Sequence, residues 1–587
     1  MLKLLKNLTK REIFMALICL VLIVGQVWLD LKLPDYMSEI TVLVQTEGSK
    51  MQDIVTNGVY MLLCALGSLI SAIIVGYLAS NISASFSMKV RKKLFDKVEN
   101  LSMEEVKKFS TSSLITRTTN DITQVQMLIS MGLQLMIKAP ITAIWAITKI
   151  LNKSWQWSAI TAIAVLVLLI VIITLMIIVM PKFKIVQKLT DRINGVTREN
   201  LTGIRVVRAF NAEKYQEDKF EDVNTKLTNQ HLFNQKSFAI LSPVMYLVMY
   251  FLTLAIYFIG AYLIKDSLMA DKLILFGDMV VFSSYSMQVI MSFLMLAMIF
   301  MMWPRAQVSA SRINEVLDTE ISIKNGTLKE TKTKEVGTIE FKNVYFKYPD
   351  AEEYLLEDIS FKANKGDTIA FIGSTGSGKS TLINLVPRFY DVTKGEILVD
   401  GINIKEYDLE YLHNKIGYVP QKAVMFNGTV LSNVSYGDNG KEEITLEHAK
   451  KAIEVAQGKE FVEKMDNQYN SHIAQGGTNI SGGQKQRLAI ARAIARDPEI
   501  YIFDDSFSAL DYKTDSVLRH ELKKYTKNAT TLIVAQRIGT IMNADKIIVL
   551  DNGKCVGMGT HKYLLNNCDV YKQIALSQLS KEELENA

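Results

Sequence analysis

The fold of the C-terminal half of the chain is decided by nine consecutive residues, Gly373-Ser374-Thr375-Gly376-Ser377-Gly378-Lys379-Ser380-Thr381. They fit the phosphate-loop pattern G-x-x-x-x-G-K-S. In this pattern glycines let backbone N–H groups surround phosphates, while the lysine and the hydroxyl meet the outer phosphates and Mg²⁺. An apolar run over residues 368–372 precedes the loop, and a mostly apolar run over 382–385 follows it. Strand, loop and helix therefore come in the required order and predict an α/β nucleotide-binding domain.

The two halves of the 587-residue chain differ in composition. Nearly all long apolar runs lie in residues 1–310, whereas residues 320–587 have the mixed composition of a soluble α/β domain. A spanning helix needs about 20 mostly apolar residues. The runs predict six spans, at about residues 13–34, 53–83, 127–151, 154–181, 237–265 and 276–304. The expected organisation is an all-α transmembrane domain over 1–317, a polar linker over 318–336 and the nucleotide-binding domain over 337–587.

The orientation of these spans follows from the basic residues between them. Lysines and arginines concentrate at the N-terminus, between spans two and three, and between spans four and five, whereas the opposite loops are short or acidic. Because cytoplasmic loops carry the excess of Lys and Arg, both termini and the nucleotide-binding domain are expected in the cytoplasm. The net charge of +6 reflects this loop bias and does not indicate nucleic-acid binding.

A second motif, Ile480-Ser481-Gly482-Gly483-Gln484, follows the phosphate loop along the chain. Together the two motifs resemble those of ATP-binding-cassette proteins. The resemblance implies that an ATP held by a different subunit is contacted by Ser481, Gly482, Gly483 and Gln484. Residues 484–496 contain no Gly or Pro and predict a helix. The motif would thus lie at a helix N-terminus, whose free N–H groups favour a phosphate.

The same resemblance assigns roles to further residues. Tyr348, at the end of a predicted strand, would stack on adenine; an ordinary strand-end tyrosine is the alternative. Gln421 would ligate Mg²⁺ and contact the membrane domain. Asp504 follows the apolar run 500–503 and would hold Mg²⁺ through water, as the Walker-B aspartate does, with Ser380 as the third magnesium ligand. The expected cofactors are ATP and Mg²⁺.

The chain departs from the family at two positions. The family has a glutamate directly after Asp504 and a histidine in the switch loop of the last strand, where this chain has Asp505 and Gln536. The glutamate orients or deprotonates the attacking water within a reach of about 2.6–3.2 Å. Aspartate is shorter by one C–C bond, about 1.5 Å, and a misplacement of about 1 Å can cost about 10²-fold in rate. Glutamine can bond a phosphate but cannot carry a positive charge.

The two hydrolytic residues are lost, but everything needed to bind MgATP is kept, and so is the second motif that would serve a partner. This combination predicts a heterodimer. The chain resembles, over nearly its whole length, the degenerate-site subunit of a bacterial heterodimeric multidrug-type exporter in the plasma membrane. Its expected partners are a homologous half-transporter with intact Glu and His, the lipid bilayer and a lipophilic small molecule. A lipid or peptide exporter of the same architecture and a low-turnover ATP-binding regulatory subunit are the alternatives.

The membrane half offers fewer specific signals. The resemblance implies a coupling helix in each long cytoplasmic loop, near residues 103–115 and 207–215. Span six carries a polar line of Ser284, Gln288 and Ser292 beside several methionines. Methionine is adaptable, so this face is either a cavity lining or packing filler. Lys138 lies deep inside span three, facing a cavity or reaching for the interface.

Overall fold

The computed structural model describes residues 1–46, 48–151, 155–265, 269–330 and 335–579. The chain divides into two compact units. The helical unit contains Met1–Glu99 and Thr111–Thr319, and the α/β unit contains Asn100–Ser110 and Glu320–Ala587. Five parts of the predicted organisation lie outside the described residues: 47, 152–154 with the start of span four, and 266–268 in the transmembrane domain, 331–334 in the linker and 580–587 at the C-terminus.

Long helices make up the helical unit. Their bounds, with α4 of the α/β unit included for order, are α1 Leu2–Leu5, α2 Lys10–Gln45, α3 Met51–Glu99, α4 Met103–Phe109, α5 Thr111–Thr118, α6 Asn120–Met131, a π-helical turn Gly132–Met136, α7 Ile137–Leu151, α8 Trp155–Thr202, α9 Ile204–Ala209, α10 Glu213–Ala239, α11 Leu241–Lys265 and α12 Met269–Asp318. Within the described residues, six helical stretches are long and apolar enough to cross a membrane. This confirms the all-α half of the predicted fold class.

Helix α2 contains the predicted first span and extends three residues before it and eleven residues after it. It begins at a capping box, in which the Thr9 side chain accepts from the Glu12 amide and Glu12 accepts from the Thr9 amide at 2.8 Å. Such a box satisfies two N–H groups that the helix itself leaves free. Buried Glu12 also pairs with Lys89 of α3 at 2.7 Å. At the other end the helix continues to Gln45, past Asp30 and Asp35.

Asp30 and Asp35 interact with side chains of other helices in the unit. Asp30 accepts from Lys138 of α7 at 3.0 Å and from Ser68 of α3 at 2.5 Å. Asp35 pairs with Lys149 at 2.9 Å. Lys138 therefore has a carboxylate partner within the helical unit, which neither of the two sequence interpretations anticipated. An ion pair satisfies charges that apolar surroundings would otherwise make costly.

The α/β unit is built around a sheet of ten strands. The strands are β1 Ile339–Phe346, β2 Leu356–Ala363, β3 Thr368–Gly373, β4 Lys394–Val399, β5 Ile402–Asn403, β6 Ile416–Val419, β7 Gly428–Thr429, β8 His472–Ile473, β9 Ile500–Asp504, β10 Thr530–Val534, β11 Lys546–Asp551 and β12 Lys554–Gly559. In the ten-stranded sheet their order is β5-β4-β1-β2-β12-β11-β3-β10-β9-β6, and β7 pairs separately with β8. This confirms the α/β half of the predicted fold class.

Helices cover both faces of that sheet. They are α13 Lys379–Asn384, α14 Leu409–Asn414, α15 Val430–Val434, α16 Leu446–Val455, α17 Lys459–Glu463, α18 Gly482–Ala495, α19 Tyr512–Tyr525, α20 Ile538–Ile541, α21 His561–Asn567 and α22 Asp569–Leu576. Successive strand residues point to opposite faces. Accordingly Phe371 and Ile502 belong to one buried cluster, while Ile372 and Phe503 belong to the other.

The strand directions bring the predicted site residues to one edge. Strands β6, β9, β10, β3 and β11 run parallel, each pairing with its neighbour. The carboxyl ends of parallel strands meet at a common edge, where ligands bind in open α/β sheets. The phosphate loop follows β3, Asp504 ends β9 and Gln536 comes two residues after β10.

Candidate functional site

The phosphate loop closes around its own lysine. Gly376 and Gly378 have φ values of 86° and 92°, a left-handed conformation that glycine adopts readily. Lys379 Nζ donates to the carbonyl oxygens of Gly373 at 2.9 Å and Ser374 at 2.6 Å. Burial lowers the pKa of the Lys379 ammonium, whereas the charges of Asp505 and Asp504 act in the opposite sense. The lysine therefore lies inside the loop, where its charge can meet phosphate oxygens.

Ser380 and Asp504 lie together at the start of α13 and the end of β9. The Ser380 hydroxyl donates to Asp504 Oδ1 at 2.7 Å. Burial raises the pKa of the Asp504 carboxyl, and the adjacent Asp505 charge contributes to the rise. Hydroxyl and carboxylate oxygens are ligands that Mg²⁺ accepts. The sequence predicted both residues as magnesium ligands, and the structure places their oxygens within one hydrogen bond of each other.

The second carboxylate, Asp505, is held by two glutamines. Its Oδ2 accepts from Gln536 Nε2 at 2.8 Å and from Gln421 Nε2 at 3.4 Å. The Asp505 backbone has a φ of 45° and its amide donates to Val534 of β10 at 3.0 Å. Burial raises the pKa of the Asp505 carboxyl. Gln421, predicted as a magnesium ligand, donates from its amide nitrogen to this carboxylate.

Tyr348 lies against the helix that follows the phosphate loop. Its hydroxyl is 3.1 Å from Thr381 Oγ1, and its ring meets Phe346 and Tyr390 edge to face. An aromatic ring beside a phosphate loop is positioned to stack on a base. The predicted adenine contact remains a prediction, and the structure gives Tyr348 a defined neighbour in Thr381.

The Ser481-Gly482-Gly483-Gln484 motif lies at the surface of the α/β unit. Ser481 caps α18 in a capping box with Gln484, whose Oε1 accepts from the Ser481 amide at 2.8 Å. Ser481 and Gly482 are exposed. The motif therefore presents the positive end of a 14-residue helix outward, an arrangement that can accept an anion from another molecule.

Gln578 was not predicted from the sequence. Its Nε2 donates to the Gln536 carbonyl at 2.7 Å, and its Oε1 accepts from the Ile538 amide at 2.8 Å. The segment after α22 thus fixes the loop that carries Gln536. A single glutamine beyond a short helix has no pattern that distinguishes it from any polar surface residue.

In the helical unit the predicted polar line is partly satisfied within its own helix. The Ser292 hydroxyl donates to the Gln288 carbonyl at 2.8 Å, while Ser284 and Gln288 are half-buried. Met287, Met291 and Met298 of the same helix are exposed. In the second predicted coupling region, Phe210 between α9 and α10 is 79% exposed.

Comparisons with known proteins place both units in one group. Residues 13–293 match the family described as the ABC transporter transmembrane region, and residues 356–508 match the family described as ABC transporter. An uncharacterized ABC transporter ATP-binding protein of Mycobacterium tuberculosis is 39% identical over 517 residues, covering 88% of this chain and 86% of that protein.

Two named relatives and one solved structure extend this similarity. The multidrug resistance ABC transporter ATP-binding and permease protein of Lactococcus lactis is 32% identical, covering 87% of this chain and 85% of that protein. The ATP-dependent lipid A-core flippase of Pseudoalteromonas translucida is 31% identical, covering 86% of each. A bacterial Atm1-family ABC exporter with ATP bound has the same fold, with a TM-score of 0.79 at 23% identity over 97% of this chain and 98% of that one.

Proposed function

The chain belongs to the ABC transporter family, and we propose that it forms one half of a heterodimeric exporter whose own site binds ATP but hydrolyses it poorly. Family membership makes it a multi-pass membrane protein driven by ATP. The observation that carries the finer proposal is the contact between Gln536 and Asp505. The residues at the two positions expected to perform hydrolysis are hydrogen-bonded to each other.

Both residues in this contact are poorly suited to activating water. A general base must reach the water proton at hydrogen-bond distance, and the Asp505 carboxylate is short and already accepts two amide hydrogens. Gln536 is neutral at every pH and cannot donate a proton to a developing phosphate charge. The site therefore lacks an effective base and a switchable cation.

The groups that bind the nucleotide are nevertheless complete. Lys379 and the loop amides would hold the phosphates, and Tyr348 would stack on the base. Ser380, Asp504 and Gln421 would hold Mg²⁺, which neutralises phosphate charge when it is bound. Retained binding groups beside impaired hydrolytic groups support a site in which ATP stays bound.

A second subunit would supply the competent site. The exposed Ser481-Gly482-Gly483-Gln484 motif would complete the ATP site of a homologous half-transporter that carries its own glutamate and histidine. Both termini and the α/β unit would lie in the cytoplasm of a bacterial cell, with the helical unit in the plasma membrane. Hydrolysis would then occur mainly at the partner-based site.

The proposed cargo is a lipophilic drug or a related amphiphile. The methionines of α12 offer an adaptable apolar surface, and one relative is named for multidrug resistance. A lipid is the second candidate, because the lipid A-core flippase matches this chain to a similar degree.

Reconstituted transport tests the proposal. The chain is co-expressed with a homologous half-transporter from its own genome and placed in proteoliposomes with a panel of cationic dyes, neutral drugs and labelled lipids. We expect ATP-dependent movement that is abolished when the partner's glutamate is replaced by glutamine. Full transport by the chain alone would contradict the heterodimer, and movement of lipids alone would contradict the drug assignment.

A further inference from the structure

Lys107 of α4 lies against two tyrosine rings of the α/β unit. Its Nζ is 4.8 Å from the ring centre of Tyr348 and 5.3 Å from that of Tyr390. The two rings meet edge to face, with their centres 5.4 Å apart. An ammonium within about 6 Å of a ring centre is attracted by the ring's π electrons. The cation and the two rings therefore form one compact cluster.

The same tyrosine that faces Lys107 also touches the phosphate loop. The Tyr348 hydroxyl is 3.1 Å from Thr381 Oγ1, and Thr381 directly follows Ser380. Phe346 and Tyr390 hold the ring from its sides at 5.1 and 5.4 Å. Tyr348 thus has one polar anchor in the loop, two aromatic neighbours and one cationic neighbour from α4.

Helix α4 is itself fixed in the α/β unit. Buried Glu105 accepts from the Ser102 amide at 2.7 Å and from the Ser322 amide at 3.1 Å. A hydrogen bond with Tyr390 raises the pKa of the Lys107 ammonium, so the cation persists at neutral pH. Lys107 consequently reaches the rings from a helix that is anchored independently of them.

We propose that Lys107 is a positioning residue of the base site, holding the Tyr348 ring in place for the nucleotide base and making the docking of α4 respond to that base. The proposal rests on the proposed base contact of Tyr348 and is independent of the heterodimer. Ordering of the ring before binding reduces the entropy lost when the base stacks. Coupling between two sites is reciprocal. If Lys107 strengthens binding of the base, binding of the base must also strengthen the contact of α4 with the tyrosine rings.

A comparison of ATP binding with inorganic tripolyphosphate binding tests whether Lys107 acts on the base or supports the α/β unit in general. Both contain three phosphates, and only ATP contains a base. The full-length chain in lipid nanodiscs is titrated with each ligand in the presence of Mg²⁺. An exposed cation–π contact is worth about 0.5–1 kcal/mol, so Lys107→Met should weaken ATP binding about two- to fivefold and leave tripolyphosphate binding unchanged.

Four further variants make the outcome decisive. Lys107→Arg keeps the cation and should restore ATP binding, and Lys107→Gln should reproduce the loss. Lys108→Met removes an exposed charge from the same helix and serves as the matched control. An equal loss with tripolyphosphate, failure of the arginine variant, or an equal effect of Lys108→Met would overturn the role of Lys107. A Tyr348→Leu variant that binds ATP normally would instead overturn the base contact itself.

Hydrogen exchange of the Met103–Phe109 amides provides a second measurement that simple structural support would not move. We expect ATP to slow this exchange more than tripolyphosphate does in the wild-type chain. The difference should disappear in Lys107→Met. Equal protection by the two ligands in the wild type would show that α4 does not respond to the base.

Discussion

The side chain of Gln536 donates from Nε2 to Oδ2 of Asp505 at 2.8 Å. The two positions at which this chain departs from its family are therefore in direct contact. The glutamine amide donates a hydrogen to this carboxylate without adding charge. The Gln536 backbone is in turn held by Gln578. The departures form one arrangement rather than two separate losses.

Restoring glutamate at position 505 and histidine at position 536 together should raise ATP hydrolysis by a larger factor than the product of the factors for the two single substitutions. With Asp505→Glu alone, the longer carboxylate still faces the amide of Gln536. With Gln536→His alone, the side chain of Asp505 is still too short to reach the attacking water. The double variant should raise hydrolysis at this site on the order of 10²-fold, the scale of a correction of about 1 Å in geometry. ATPase activity is measured in the assembled pair, with the partner's glutamate replaced by glutamine to silence the other site.

Export provides the control for this prediction. With a wild-type partner, the double variant should hydrolyse more ATP in proteoliposomes without a matching gain in transport. An ATP that stays bound at Lys379 would hold the two nucleotide-binding domains together while the partner-based site cycles, and a ligand shifts an equilibrium only through its differential affinity for the two states. Transport that increases in step with ATPase activity would show that low turnover is merely a defect.

The purified chain alone should bind ATP and turn it over weakly. Under the proposed function, Lys379, Ser380 and Tyr348 would supply affinity, whereas Asp505 and Gln536 would be poorly suited to hydrolysis. Affinity is measured by titration with a fluorescent ATP analogue, and turnover by phosphate release. Lys379→Ala should abolish binding and serves as the negative control. Steady turnover comparable to that of the assembled pair would contradict the degenerate site.

Substitutions in the exposed motif should affect the pair more than a substitution at Asp505. Ser481→Ala removes the cap of α18 and would remove the proposed contact to the partner's ATP. Gly482→Asp places a negative charge at the helix N-terminus. Each should reduce the ATPase activity of the assembled pair at least about 10-fold, since loss of a comparable phosphate or oxyanion contact costs that much or more. Asp505→Asn should change it less than twofold, because it alters a site that is already impaired. Equal losses from all three would indicate two equivalent sites.

The nucleotide site was the part of the structure most accessible from sequence. The phosphate loop, Asp504 and the residues 481–484 are short motifs whose chemistry depends on local backbone geometry, and each lies at the strand end or helix N-terminus that its neighbours predict. The six long helices were equally accessible, because a spanning helix requires a continuous apolar stretch.

Contacts between residues that are far apart in the sequence could not be predicted from local patterns. Lys138 and Asp30 are separated by 108 residues along the chain, and Gln578 and Gln536 by 42. No local periodicity links such pairs. The same holds for Asp35 and Lys149, which pair at 2.9 Å and are 114 residues apart along the chain.

The Asp30–Lys138 pair should stabilise the helical unit as a pair rather than through either charge alone. Their atoms are 3.0 Å apart, with side chains 27% and 24% exposed. Lys138→Met or Asp30→Asn leaves one charge without its partner among apolar helices, and each should lower the thermal midpoint in nanodiscs on the order of 2–5 °C. The double variant should recover most of this loss, because neither charge remains. Lys265→Met, an exposed lysine at the end of α11, is the matched control and should leave the midpoint unchanged. If the two single losses simply add in the double variant, the contact contributes nothing as a pair and each charge acts independently.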